Sequence, residues 1–262
     1  KDHSKWYGQI SITRVKDPHG RPFADVFIVR DITDKKNMEK QLLEKLYEVQ
    51  STQDAAILGF AKLAEYRDPD TGFHLERVRN YCRILAEELI HQEGIQEEIN
   101  ESFVEEIYKS SPLHDIGKVG IPDSILLKPG NLTAEEYQIM KTHTLLGGDA
   151  LASVEINLPG KSFLSLAKEI AYYHHEKFNG RGYPFGLSGK QIPLPARIVA
   201  FADAFDALTS KRVYKDVVAP QESKKRLLID RGEHFDPIVV DAYLTREKEF
   251  LEILDRFSDR QK

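Results

Sequence analysis

Arg197-Ile198-Val199-Ala200-Phe201-Ala202-Asp203-Ala204-Phe205-Asp206-Ala207-Leu208 is the stretch that decides the fold class. Ile198, Phe201, Phe205 and Leu208 recur at steps of three and four, one apolar stripe on a helix with 3.6 residues per turn. Pro195 stands just upstream, where the first turn of a helix has no use for an amide hydrogen. Asp203 interrupts the run. A carboxylate held in apolar surroundings is costly unless it is paired or binds a cation. Two partners are open to it: a basic residue such as Arg197, or a metal ion. Asp206 can cap the helix or face solvent.

The helical period extends outward from this stretch. Thr133-Ala134-Glu135-Glu136 has the spacing of a capping box and predicts a helix through about Ala152. Ser162 is placed to cap another through Tyr172. Between them and the central run, Asn179-Gly180-Arg181-Gly182-Tyr183-Pro184-Phe185-Gly186 breaks every period with glycines and a proline, and predicts a shaped loop. Further upstream, Leu42, Leu46, Val49, Gln53, Ala56, Phe60 and Leu63 alternate steps of four and three. Two readings of this seam stand: an amphipathic helix packed on its own domain, or a parallel homodimer in which Gln53 sets the register. Residues 5–30 read as two strands, with alternation around Ile10 and Ile12, a turn at Asp17-Pro18-His19-Gly20, and the strand-forming run Val26-Phe27-Ile28-Val29. The expected division is therefore strands over 1–30, a long linker helix over 31–66, and a helical domain over 67–262. The fold class is mainly α.

Composition narrows the function. The 37 Lys and Arg against 42 Asp and Glu give a formal charge of −5, which argues against a binder of duplex nucleic acid. Cys82 is the single cysteine, so neither a disulfide framework nor a thiolate metal site is available, and a reducing cytoplasm is the expected compartment. No apolar run approaches the roughly 18 residues needed to span a bilayer.

The histidines are unevenly spread. His114 is followed by Asp115, His174 by His175, and His74 and His143 fall on predicted helices. Imidazole and carboxylate together suit iron, manganese, zinc and similar divalent ions. Their contexts carry a resemblance. His114-Asp115-Ile116-Gly117-Lys118 resembles the HD signature of metal-dependent phosphohydrolases. His174-His175-Glu176 followed by Gly182-Tyr183-Pro184 is similar to the signature of the HD-GYP subgroup. Arg67-Asp68-Pro69-Asp70-Thr71-Gly72-Phe73-His74, Lys141-Thr142-His143-Thr144 and the segment from Asp203 to Lys215 resemble its opening, middle and closing motifs, in the family's order. Asp31-Ile32-Thr33 between a strand and a heptad helix resembles the end of a PAS sensor domain feeding a signalling helix.

The HD-GYP resemblance implies an all-helical domain that hydrolyses cyclic di-GMP to the linear dinucleotide and on to GMP. Cyclic GMP-AMP as substrate and a catalytically inactive binding module are the alternatives. It implies two divalent ions, iron or manganese with zinc able to replace them, held by His74, His114, Asp115, His143, His174, His175 and Asp203, with Asp115 best placed to bridge. Asp70 stands where some members carry Glu; it is one methylene shorter and is the further candidate for a third ion. The resemblance also implies that Asp115 and Lys118 serve catalysis. Lys118, Arg212 and Lys215 would contact phosphates, and Gly182, Tyr183 and Pro184 would line the mouth of the site. Tyr183 either stacks on a guanine or packs against its own loop, and the basic residues either bind phosphate or form a solvated face.

Overall fold

Asp17 makes the first turn. Its Oδ1 accepts from the backbone nitrogens of His19 and Arg21, both at 2.8 Å, and Gly20 takes a positive φ of 78°. The flanking segments pair antiparallel as β1 (Gly8–Lys16) and β2 (Pro22–Asp31), with Ile12 opposite Phe27 and an irregularity at Val15/Lys16. Residues on both faces of this two-stranded sheet are exposed. Thr33 Oγ1 accepts from the Tyr7 backbone nitrogen at 2.9 Å where the chain enters α1 (Thr33–Glu65).

These observations come from a computed structural model, which describes residues 6–66, 73–92, 95, 98–156, 160, 162–210 and 220–258. The opening motif up to Gly72, with Asp70, and the segment with Arg212 and Lys215 lie outside the described residues. The chain divides into two compact units, Lys1–Ala55 and Ala56–Lys262.

The second unit is helical. After the last turns of α1 come α2 (His74–Leu89), α3 (Glu101–Ser110), α4 (Asp123–Leu126), α5 (Ala134–Lys141), α6 (His143–Glu155), α7 (Phe163–Tyr173), α8 (Leu194–Thr209), α9 (Pro220–Ile229) and α10 (Pro237–Arg256). Two 3-10 turns, Ser111–Leu113 and Ile116–Gly120, join α3 to α4 around His114 and Asp115. Helix α8 is the centre of the core, as its stripe predicts. Phe201 and Phe205 meet Tyr81 of α2 and Tyr243 and Phe250 of α10; Tyr81 stacks on Phe250 at 4.5 Å and takes Phe205 edge-on at 5.1 Å. Burying one such aromatic contributes about 1.5–3 kcal/mol. A smaller apolar cluster joins Ala61, Leu75, Leu113, Leu151, Ala167 and Ala171.

Local expectations fare unequally. Ser162 caps α7 through Leu164, and Thr133 forms a full capping box with Glu136. The helix predicted from Thr133 to Ala152 is in fact two, α5 and α6, broken at Thr142. The break is tertiary in origin: a Cβ on Gly117 would lie 1.9 Å from the His143 carbonyl oxygen and 2.5 Å from Gly147 N, so the turn carrying Asp115 presses directly on the start of α6. Arg197 is not the partner of Asp203. It donates to the Ile192 carbonyl at 2.8 Å and pairs with Asp236 and with Glu98. Asp203 itself is half-buried rather than sealed in the apolar run, because only the other sides of α8 pack into the core.

Candidate metal centre

Three of the histidines share one device. His114 Nδ1 lies 2.9 Å from the Ser111 carbonyl oxygen, His143 Nδ1 2.8 Å from that of Met140, and His174 Nδ1 2.9 Å from that of Ile170. A carbonyl can only accept, so each Nδ1 carries a proton and each ring turns its Nε2, the atom that can offer a lone pair, the other way. Helix ends make this possible: His143 opens α6, His174 follows α7, and His114 sits between two 3-10 turns.

The three Nε2 atoms converge on Asp115. Its Oδ1 lies 3.2 Å from His143 Nε2 and 3.5 Å from His174 Nε2, and its Oδ2 lies 3.4 Å from His114 Nε2. All three Nε2 atoms and Asp115 Oδ1 are buried without a hydrogen bond. Ligand atoms of Asp115, His143, His174 and His175 fall within 4.8 Å of one another, and so do those of Glu65, His74 and His114. Buried polar atoms crowded together without hydrogen bonds are unfavourable as they stand. Divalent cations held by the two groups would satisfy these atoms, so the donor set fits a metal centre.

Charge follows the same division. Burial, with the neighbouring imidazoles, holds the pKa of His175 well below the ordinary histidine value, and burial lowers that of His174. These rings have no proton to displace when they bind a cation. Burial pulls His114 down, but Asp115, Asp203 and Glu65 outweigh it and hold its pKa at about 9, so this ring gives up its Nε2 proton when it binds a cation. Burial likewise pushes Asp115 up, yet Lys118 and His114 keep it well below the usual carboxylate range. Lys118 Nζ is 2.8 Å from Asp115 Oδ2.

His74 differs from the other three. Its Nδ1 meets Asp206 Oδ2 at 2.8 Å, and its Nε2 lies 3.7 Å from Asp203 Oδ1 and 3.8 Å from Glu65 Oε1. Asp206 neither caps α8 nor faces solvent. It is buried, and Arg77 holds it bidentately at 2.6 and 3.0 Å. Arg77 also donates to the Phe257 carbonyl at 3.0 Å.

The loop over the site is fastened by Glu176, whose Oε1 accepts from the backbone nitrogens of Phe185 at 2.7 Å and Gly186 at 3.0 Å. Gly182 lies against the chain at Glu176, where a Cβ would come within 2.4 Å of the Glu176 Cα. That contact leaves the Tyr183 ring stacked on His175, centroids 4.8 Å apart. Pro184 follows in the same half-buried loop. His74, His114, Asp115, His143, His174, His175, Asp203 and Lys118 are thus brought together.

Residues 60–239 match the model of the HD domain family. This chain belongs to the HD domain family. It is 46% identical over 226 residues to a Vibrio cholerae protein named "Probable cyclic di-GMP phosphodiesterase", covering 86% of this chain and 51% of that protein. It is 41% identical over 208 residues to "3'3'-cGAMP-specific phosphodiesterase 2" of the same organism, covering 79% of this chain and 37% of that one. The chain thus spans about half or less of these relatives. A Bdellovibrio bacteriovorus HDG"Y"P protein shares the fold with a TM-score of 0.53 at 17% identity, over 85% of this chain and 83% of that chain. Among the described residues no helix is long and apolar enough to cross a membrane.

Proposed function

We propose that this HD domain is a phosphodiesterase that hydrolyses cyclic di-GMP to the linear dinucleotide pGpG, and on to GMP, with two divalent ions bound. The observation that carries the reading is the set of buried, unbonded ligand atoms, His114, His143 and His174 Nε2 with Asp115 Oδ1. The family and the cyclic di-GMP phosphodiesterase name of the 46% identical relative support it. His114, His143, His174, His175 and Asp115 would hold the ions with His74 and Asp203, and iron or manganese suits this N and O donor set. Bound divalent ions polarise a phosphate and make a nucleophile of water near neutral pH. Everything else falls to side chains. Asp115 stays ionised between its histidines and Lys118, ready to bridge. Lys118 places a point charge beside the phosphate under attack. The reaction adds water to phosphorus, breaks the bond to the 3' oxygen and leaves that oxygen with a proton. Tyr183, Gly182 and Pro184 line the entrance, while Arg212 and Lys215 would grip the phosphate not under attack.

The similarity to a 3'3'-cGAMP-specific enzyme favours one second reading, cyclic GMP-AMP as the preferred substrate. Steady-state hydrolysis of both compounds by manganese-loaded protein decides. The proposal expects the larger kcat/KM on cyclic di-GMP; a larger value on 3'3'-cGAMP reverses the assignment, and turnover of neither leaves only a binding module.

The reading extends to a cytoplasmic homodimer that couples a sensor to this domain. The full heptad seam of α1 is exposed, from Leu42 to Leu63, while Ala61 and Ala64 on another face are buried. That distribution supports parallel pairing through the seam. Exposure of both faces of the β1–β2 sheet supports its being the closing strands of a PAS-like sensor. Light scattering should return a dimer at micromolar concentration, and a monomer refutes the seam.

A further inference from the structure

We propose that Glu65 is a ligand of the same ion as His74 and His114, an inference that rests on the ion-dependent reading above. Glu65 ends α1 and is 4% exposed, and its Oε2 is buried without a hydrogen-bond partner. Lys62 of the same turn is engaged by Glu76. The Glu65 carboxylate instead faces His74 Nε2, with Oε1 at 3.8 Å.

The identity of that nitrogen matters. Arg77 grips both oxygens of Asp206, which keeps it an acceptor, so His74 Nδ1 donates to it. In the neutral ring, Nε2 then offers a lone pair to two carboxylates, Glu65 at 3.8 Å and Asp203 at 3.7 Å, which repels without a cation between them. In an imidazolium, Nε2 would draw in one carboxylate to hydrogen-bond length, near 2.8 Å; both observed separations are longer. They do fit a shared ion, because two ligands each about 2.0–2.2 Å from one ion stand at most roughly 4.4 Å apart. His114 Nε2 is the third unbonded atom within reach. One ligand therefore comes from the helix that bears the exposed seam, and the others from α2 and the turn after α3.

The test uses the full chain, stripped by chelator and titrated with manganese against a fluorescent chelator, with melting temperature read before and after loading. Loss of a group that merely supports a ligand already costs 10- to 100-fold in metal affinity. Glu65→Gln, which keeps the shape, should weaken one ion by about that much or more and shrink the manganese-induced rise in melting temperature. His74→Ala should lose the same ion. Glu65→Gln with unchanged stoichiometry and affinity overturns the proposal. A lower metal-free melting temperature with the full manganese-induced rise also overturns it, and makes Glu65 a structural carboxylate. Wild-type protein that takes up no manganese removes the ion-dependent reading itself, and this inference with it.

Discussion

Asp115→Ala is expected to lower turnover of cyclic di-GMP on the order of 10³-fold or more, the scale on which a group of cooperating residues fails when one is removed. Oδ1 of this residue stands between His143 and His174, and Oδ2 between His114 and Lys118. No other described carboxylate reaches all of these groups, so nothing replaces it. The helices should survive, since the aromatic core around Phe201, Phe205 and Phe250 does not include Asp115. Far-UV circular dichroism of the variant should match wild type while its rate collapses. A variant that keeps most of the wild-type rate would show that Asp115 is not the bridge.

Arg77→Met should cost roughly 3–5 kcal/mol of stability, the usual result of leaving a buried charge without its partner. Arg77 and Asp206 are 2% and 1% exposed, so solvent offers little screening. Burial pushes the pKa of Asp206 up, but His74 and Arg77 outweigh it and hold it below the ordinary value. A depressed folded-state pKa contributes stability above the unfolded value and loses it as pH falls through the folded one. The deficit of Arg77→Met should therefore be full at neutral pH and shrink in acid, where Asp206 becomes neutral in both proteins. Arg77→Met combined with Asp206→Leu should recover part of the stability but not the metal affinity, because His74 then lacks its carboxylate. Urea unfolding followed by circular dichroism reads each case. A single variant as stable as wild type would mean that the pair carries no net weight.

Much of this was legible from local pattern. The stripe Ile198, Phe201, Phe205, Leu208 marks the central helix because period and burial coincide there. His114-Asp115 and His174-His175 are adjacent pairs, and adjacency survives any fold. What escaped depended on distant contacts. Asp206 meets His74 and Arg77 across 132 and 129 residues, so nothing beside it announces its burial. Asp203 sits in an apolar run yet is half-buried, because α8 turns that edge toward the site. The break before His143 carries neither glycine nor proline; it answers to the turn at Gly117 packed against it. Glu65 was hidden by the seam, since Leu63 draws attention to the exposed face. The signal was Ala61, Ala64 and Glu65, two small residues and a carboxylate on the opposite, buried side.

The most direct test of the whole account is metal content joined to turnover. Protein purified without chelator should carry close to two ions per chain, iron or manganese, and hydrolyse cyclic di-GMP; stripping should abolish the reaction, and manganese should restore it. Protein that holds no metal, and that added manganese does not activate, would contradict it.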